Sequence, residues 1–433
     1  MQVEAWLTRA ARRAPERIAV ETRERAVSYR ELHRLAGAGA RELGVPAGSR
    51  VAIALAPGLD FAVALHACLR AGAVAVPVDL REGAPAPATR CDATIEVPLS
   101  CRGPVAAERR HDLSATALIV HTSGTGGEPK PVPLTYGNFL WSAIGSAVAL
   151  GLDPGERWLC MLPLVHVGGL SIILRSAIYA TTAVVHERFE AADALDALMA
   201  REITLVSVVA TTLRRLLDAG LANPPALRCA LAGGGPVPAA LLERARGAGV
   251  TVSQTYGLTE ACSQVATQAP GEHGPGCGAP LFCTRLALAP DGEILVSGPT
   301  VSPAVSGGVL ATGDLGELAA DGSLRVVGRR SDTIITGGEN VPPGEVEAVL
   351  EAHPAVLEAG VYGVVDERWG EAVHAVVVTR SAVGEEELRA HCRRRLAAFK
   401  VPKAILFADA LPRTPSGKLQ RGRLPVDGRE RTS

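Results

Sequence analysis

With 433 residues, and 44 basic residues against 45 acidic ones, the chain is long enough for at least two domains and has neither a basic footprint for nucleic acid nor an acidic tail. A small-molecule partner is the better expectation. Nine scattered cysteines without a CxxC pair fit neither a disulfide framework nor a zinc site and read as reduced, mostly buried thiols in the cytosol.

The N-terminus starts an amphipathic helix without the apolar run of a signal peptide. Apolar stretches at 51–78 and 159–180 are broken by Pro57, Asp60 and Arg70 and by Pro163, His166 and Arg175, so neither suits a membrane span. From Val20 to Val185 short apolar strands alternate with helices, the βαβ rhythm of a parallel sheet covered by helices. Ser28 and Glu31 form a capping box that opens a helix to about Leu43. Segments 51–55 and 73–78 read as strands around a helix at 59–71, while 81–113, rich in Ala, Pro and Arg, has no assignable pattern.

An apolar strand at 115–120 then runs into His121, Thr122, Ser123, Gly124, Thr125, Gly126, Gly127, Glu128, Pro129 and Lys130. Glycines let backbone N–H groups crowd round an anion, hydroxyls add donors, and lysine adds a mobile positive charge, which is how a chain holds phosphate. The loop lacks the Gly-Lys-Ser/Thr entry into a helix of the P-loop enzymes, and an ordinary surface turn has a similar composition. Only Lys130, Lys400, Lys403 and Lys418 are lysines among the 44 basic residues, so a slim ammonium is kept against a strong arginine bias at these four positions.

Thr135 caps a helix to about Leu150, and a strand at 157–162 ends before His166, Gly168 and Gly169, where open α/β sheets place ligands. A satisfied core histidine is the alternative. Strands at 205–209, 228–231 and 250–255 follow. The second ends in Gly233, Gly234 and Gly235, which let a flat ring lie on bare backbone. The third ends in Tyr256, Gly257, Thr259 and Glu260, which offer an aromatic face, a close approach, a hydroxyl and a carboxylate for Mg²⁺. After Pro270 short strands dominate to Val327, and Asp314 among them could accept both hydroxyls of a ribose. A polar junction at 328–332 leads to a unit of roughly 100 residues with strands at 333–335, 356–365, 371–379 and 404–407 and helices at 344–351 and 385–398.

The segments TSGTGGEPK (122–130), TYGLTE (255–260), TGDLGEL (312–318), GRRSDTIITGGENVPPGEVE (328–347) and PRTPSGKLQR (412–421), in this order, resemble the adenylate-forming superfamily. Segments 158–185, 253–267 and 331–350 are most similar to its 2-succinylbenzoate-CoA ligase branch, in menaquinone biosynthesis. The resemblance implies an α/β fold: a large N-terminal domain of parallel sheets covered by helices plus a β-rich subdomain (1–328), with a small mobile α+β C-terminal domain (329–433).

It also implies an acid-thiol ligase that uses ATP, Mg²⁺ and coenzyme A and forms an acyl-adenylate first. Thr122 to Gly127 and Lys130 would grip the β- and γ-phosphates, Gly233 to Gly235, Tyr256 and Gly257 would enclose adenine, and Thr259 would hold phosphate. Glu260 would carry the metal, Asp314 and Arg329 the ribose, and Lys418 would stabilise the charge that develops during adenylation. His166 would gate the acyl pocket, with Gly169 and Gln264 beside the substrate, and Arg175 or Gln264 would meet a second substrate carboxylate. Ser331 would be the pivot about which Lys418 leaves and Gly337, Gly338, Glu339 and Asn340 enter to line the CoA tunnel, with Lys400 and Lys403 near its phosphates. A cytoplasmic enzyme is expected, with a homodimer as a candidate assembly. A ligase for another aryl or fatty acid, a carrier-protein loading enzyme and a non-catalytic nucleotide-binding relative are the alternatives. Gly126 departs from the family, where a second threonine is usual.

Overall fold

The computed structural model describes residues 1–81, 89–122, 129–413 and 419–424. Two parallel-dominated sheets form the larger part of the molecule. One has five strands in the order Ala93–Ile95, Arg50–Ile53, Val74–Pro77, Thr116–Thr122 and Lys130–Thr135, the last antiparallel to its neighbour. The other has nine, and its middle run of Val252–Leu258, Cys229–Ala232, Leu205–Val208, Arg157–Cys160, Thr182–Val185 and Ile18–Glu21 is parallel throughout.

The principal apolar core lies between these sheets and draws on both, with Val51, Ile53 and Leu118 from one and Trp158, Cys160 and Val185 from the other. Helix Leu59–Ala71 is packed there, and every residue from Phe61 to Leu69 is buried. A helix that touches sheets on two sides has no solvent face, which is why this segment reads as apolar all round rather than amphipathic. Truncation of Leu65, which is fully buried, to alanine would cost about 2–5 kcal/mol.

Local signals set the helix starts. The Ser28 hydroxyl accepts from the Glu31 N–H at 3.2 Å at the head of Tyr29–Leu43. Thr135 and Asn138 form a reciprocal capping box at the head of Tyr136–Leu150. The unassigned stretch 81–113 contributes the edge strand Ala93–Ile95 and the two-residue strand His111–Asp112. Both are too short to leave a periodic signature.

A four-stranded antiparallel sheet follows, with Arg285–Leu288, Glu293–Ser297, Val309–Leu318 and Leu324–Arg329 in sequence order. The last sheet has its own core, and Val356–Asp366 and Gly370–Thr379 form its long central hairpin. The strand Ile334–Thr336 turns through Gly337 and Gly338, both at positive φ, into Glu339–Val341. Helix Glu385–Arg393 ends short of the expected Ala398, and a 3₁₀ turn takes over at Ala398–Lys400. All nine cysteines are free, six of them buried. No helix among the described residues is long and apolar enough to cross a membrane.

Candidate active site

The carboxyl ends of three adjacent parallel strands bring together segments far apart in sequence. Gly233 follows Cys229–Ala232 and donates its N–H to the Val208 carbonyl at 3.1 Å. A Cβ there would stand 2.8 Å from Thr255 Cγ2, so this glycine answers to packing on the next strand. Gly234 has φ +78°, a conformation side chains resist, while a Cβ at Gly235 would meet nothing within 4 Å. Gly235 is therefore the member of the triplet that faces open space. Gly257 has a reason of its own, because a Cβ would lie 1.8 Å from the Ser263 carbonyl oxygen. The close approach it permits is between protein strands.

Tyr256 is buried and donates its hydroxyl to Asp314 Oδ2 at 2.7 Å, while Arg329 Nε donates to Asp314 Oδ1 at 2.8 Å. Asp314 and Arg329 lie opposite each other in the antiparallel sheet, so strand register aligns carboxylate and guanidinium. The Thr312 hydroxyl caps the turn by accepting from the Asp314 N–H at 3.1 Å. Burial and the Asp314 charge raise the Tyr256 phenol above its ordinary value, so it stays a donor. The triad joins the nine-stranded sheet to the four-stranded one.

Thr259 and Glu260 sit in the 3₁₀ turn Thr259–Ala261 at the end of the Tyr256 strand. Ser302, which sequence reasoning missed, anchors this turn. Its N–H donates to the Glu260 carbonyl at 2.8 Å and its hydroxyl to the Pro133 carbonyl at 2.7 Å. Pro133 lies in Lys130–Thr135, where Lys130 is paired opposite Thr122 and exposed. The base of the glycine loop and the Glu260 turn are thus tied through one serine. The Asn138 amide reinforces them by donating to the Pro299 and Val301 carbonyls at 2.8 and 3.0 Å. As one of two serines in VSPAVSGG, it carries no signal that would have found it. Ser123, Gly124, Thr125, Gly126, Gly127 and Lys418 lie outside the described residues.

His166 is the N-cap of helix Val167–Tyr179 and half-buried. Arg81 Nη2 reaches its Nε2 at 3.3 Å, and Arg81 in turn is held by both oxygens of Asp79. A guanidinium only donates, so His166 Nε2 accepts and the neutral ring carries its proton on Nδ1. Burial first, and then the Arg81 charge, hold this imidazole below its ordinary value. Gly169 is needed where it is, since a Cβ would lie 2.6 Å from the Pro163 carbonyl oxygen.

Arg175, on the same helix, is buried at 3% exposure. Among the described residues it has no carboxylate partner. Its Nη2 donates to the Ser142 hydroxyl at 2.9 Å, its Nε has no partner, and it lies 5.7 Å over the Trp158 ring. Burial lowers its pKa. The Ser142 hydroxyl in turn donates to the Cys262 carbonyl at 2.7 Å, and two residues further along Gln264 is buried with an Oε1 unpartnered among the described residues, its Nε2 donating to Thr267 Oγ1 at 2.9 Å. Ser146, Ser171 and Ser176 are further buried hydroxyls without partners on the two helices that flank Arg175.

In the C-terminal sheet Ser331 is exposed, its hydroxyl donating to Asp332 Oδ1 at 3.0 Å. Gly337, Gly338, Glu339 and Asn340 are all exposed, and the Gly337 N–H donates to the Trp369 carbonyl at 2.7 Å. Lys400 is paired with Glu345 at 2.7 Å, whereas Lys403 lies 5.3 Å over the Trp369 ring.

The AMP-binding enzyme family profile matches residues 7–94 and 88–305, and that of the AMP-binding enzyme C-terminal domain matches 345–418. The chain belongs to the AMP-binding enzyme family. Within that family it is similar to the 2-succinylbenzoate–CoA ligase of Bacillus velezensis, 39% identical over 97% of this chain and 97% of that protein. It is likewise similar to the ligase of Geobacillus kaustophilus, 40% identical over 97% and 96%. Its fold matches o-succinylbenzoate CoA synthetase from Bacillus subtilis in complex with the acyl-adenylate intermediate OSB-AMP, with a TM-score of 0.88, 36% identity and 98% of both chains covered. The same synthetase in complex with ATP and magnesium ion matches with a TM-score of 0.87 and 36% identity over 98% of this chain and 100% of that one.

Proposed function

We infer that this family member is an ATP-dependent acid–thiol ligase that converts 2-succinylbenzoate to its CoA thioester in menaquinone biosynthesis. In the first step a carboxylate oxygen attacks the α-phosphorus of ATP, the bond to the bridging oxygen breaks, and pyrophosphate leaves. In the second the CoA sulfur attacks the acyl carbon and AMP leaves. The first step makes a poor leaving group a good one, and such chemistry rests mostly on positioning and charge neutralisation.

The observation that carries the substrate is Arg175. A buried cation without a counter-charge is costly, by several kcal/mol after relaxation, unless something supplies the missing anion. A substrate with a second carboxylate does so, and Gln264 with the unpartnered serines adds polar surface for its keto-acid arm. A simple fatty acid would leave Arg175 unpaired.

For the nucleotide, Gly235 and Tyr256 form a wall for adenine, and Asp314 with Arg329 receives the ribose. Thr259 faces phosphate, and the hairpin that begins at Thr122 and ends at Lys130 receives pyrophosphate. Glu260 fits Mg²⁺: its carboxylate is half-exposed, has no side-chain partner among the described residues and supplies the hard oxygen ligand this ion prefers. The ion would neutralise phosphate charge there. His166, neutral and fixed by Arg81, borders the acyl entrance.

The small unit from residue 329 onward pivots near Ser331 between steps. Lys418 serves adenylation, and Gly337 to Asn340 serve thioester formation. Trp369 and Lys403 pair a flat apolar face with an ammonium that has no acidic partner among the described residues, which suits the adenine and phosphates of CoA better than Lys400, already paired. The test is AMP release with ATP, CoA and a panel of carboxylates. 2-Succinylbenzoate should exceed benzoate and octanoate by about a hundredfold in kcat/KM, the scale of a lost charge-assisted contact. Equal rates would refute the assignment.

A further inference from the structure

We propose that Glu358 is a positioning residue for adenylation, a latch that holds the small unit against the large one while the Lys418 segment is in use. This rests on the role of Lys418 given above. Glu358 lies on the strand Val356–Asp366 of the C-terminal sheet and is shared by two arginines. Its Oε1 accepts from Arg214 Nη1 at 2.8 Å and its Oε2 from Arg413 Nη2 at 2.8 Å. Arg214 belongs to helix Ala210–Asp218, which leaves the nine-stranded sheet directly beside the Gly233–Gly235 turn, with Val209 Cγ1 at 3.4 Å from a Cβ built on Gly234. Arg413 immediately precedes the segment that carries Lys418 and is bridged to Leu419 on its far side.

One carboxylate therefore ties the nucleotide side of the large unit to the root of the lysine segment. Arg214 and Glu358 are both largely buried, at 18% and 17% side-chain exposure, so their attraction is only partly screened. The far root of the segment is clamped separately. Arg421 forms a two-pronged pair with Glu347 and reaches Asp332 Oδ2 at 3.0 Å, next to the pivot Ser331. That second clamp lies within the C-terminal unit and its junction, so rotation about Ser331 leaves it largely in place. The Arg214–Glu358 pair, by contrast, crosses from the small unit to the large unit's helix beside the Gly233–Gly235 turn. In this same arrangement Gly337 to Asn340, the residues assigned to the second step, are exposed. The rotation that brings them in has to part Glu358 from Arg214.

Glu358→Gln, Arg214→Gln and the double variant in the full chain decide the matter. ATP–pyrophosphate exchange reads the first step, and thioester formation from synthetic 2-succinylbenzoyl-adenylate and CoA reads the second. Each single variant should slow exchange about tenfold, a coupling typical of contacting charged residues, with no further loss in the double variant. Thioester formation should be unchanged or faster. Equal losses in both steps, additive losses, or undiminished exchange would overturn the latch. If the wild type exchanges only with another carboxylate, the substrate assignment fails, and the same three variants on that carboxylate still decide the latch.

Discussion

The proposed nucleotide side and the proposed acyl side of this site are built on opposite principles. Around Asp314 each charged or polar group has its partner: the Tyr256 hydroxyl and the Arg329 guanidinium donate to its carboxylate, and the Thr312 hydroxyl accepts from its N–H. Around Arg175, among the described residues, the guanidinium lacks a counter-charge, and Gln264 Oε1 and three serine hydroxyls lack partners. A cofactor shared across a whole family can be met by a prepaid, rigid surface. A particular acid is met by a surface left incomplete until it arrives, and stability is given up to keep it so.

Removal of one group on each side should therefore act in opposite senses on the fold. Asp314→Ala leaves a buried phenol and a guanidinium unpaired. It should lower stability by about 3 kcal/mol and slow pyrophosphate exchange at least about a hundredfold with any acid, read by denaturant unfolding and exchange assays. Arg175→Met keeps the volume and removes the lone charge. It should lower kcat/KM about a hundredfold for 2-succinylbenzoate and leave benzoate unaffected, while stability rises by about 1–3 kcal/mol. If the melting temperature of Arg175→Met falls, Arg175 is a structural cation and the contrast between the two sides collapses.

A third, half-buried group extends the comparison to the C-terminal unit. Burial raises Glu351 to about 7, with the nearby Glu347 and Glu358 charges adding to the effect and Arg214 opposing it. Its carboxyl ionises near 4.5 when unfolded and near 7 when folded, so its presence costs stability increasingly as pH rises from 4.5 to 7 and by a constant amount above. Glu351→Gln should be about 1–2 kcal/mol more stable than the parent at pH 8 and about equal at pH 4.5, since a residue of this exposure is partly relieved by water. The smallest effect is expected at the glycine loop. Gly126→Thr restores one hydroxyl donor and should lower the ATP KM by a few fold, about 0.5–1 kcal/mol; an unchanged or raised KM would count against this loop as the pyrophosphate grip.

Much of this was written locally in the chain. The helix caps at Ser28 and Thr135 are set by contacts a few residues apart, and they and the bounds of the helix Leu59–Ala71 are what a linear reading places correctly, whereas the strand expected to end at Thr255 runs on through Tyr256 to Leu258. The five ordered motifs name the family for the same reason, because each is a continuous stretch of chain. Other decisions belong to contacts between distant segments. The glycine at 257 makes room for the Ser263 carbonyl, and Ser302 joins the Glu260 turn to the root of the phosphate hairpin. Arg175, which on a helix near the end of an apolar run could equally have been a solvated residue, is buried without a counter-ion among the described residues. Glu358 is shared by Arg214 and Arg413, which stand far apart in sequence. The sequence by itself determined which chemical groups the protein owns and the order in which loops present them, since those depend on local backbone preference. Only the tertiary structure decided which of these groups are satisfied and which are left waiting, because burial and partnership are properties of surfaces that meet after folding.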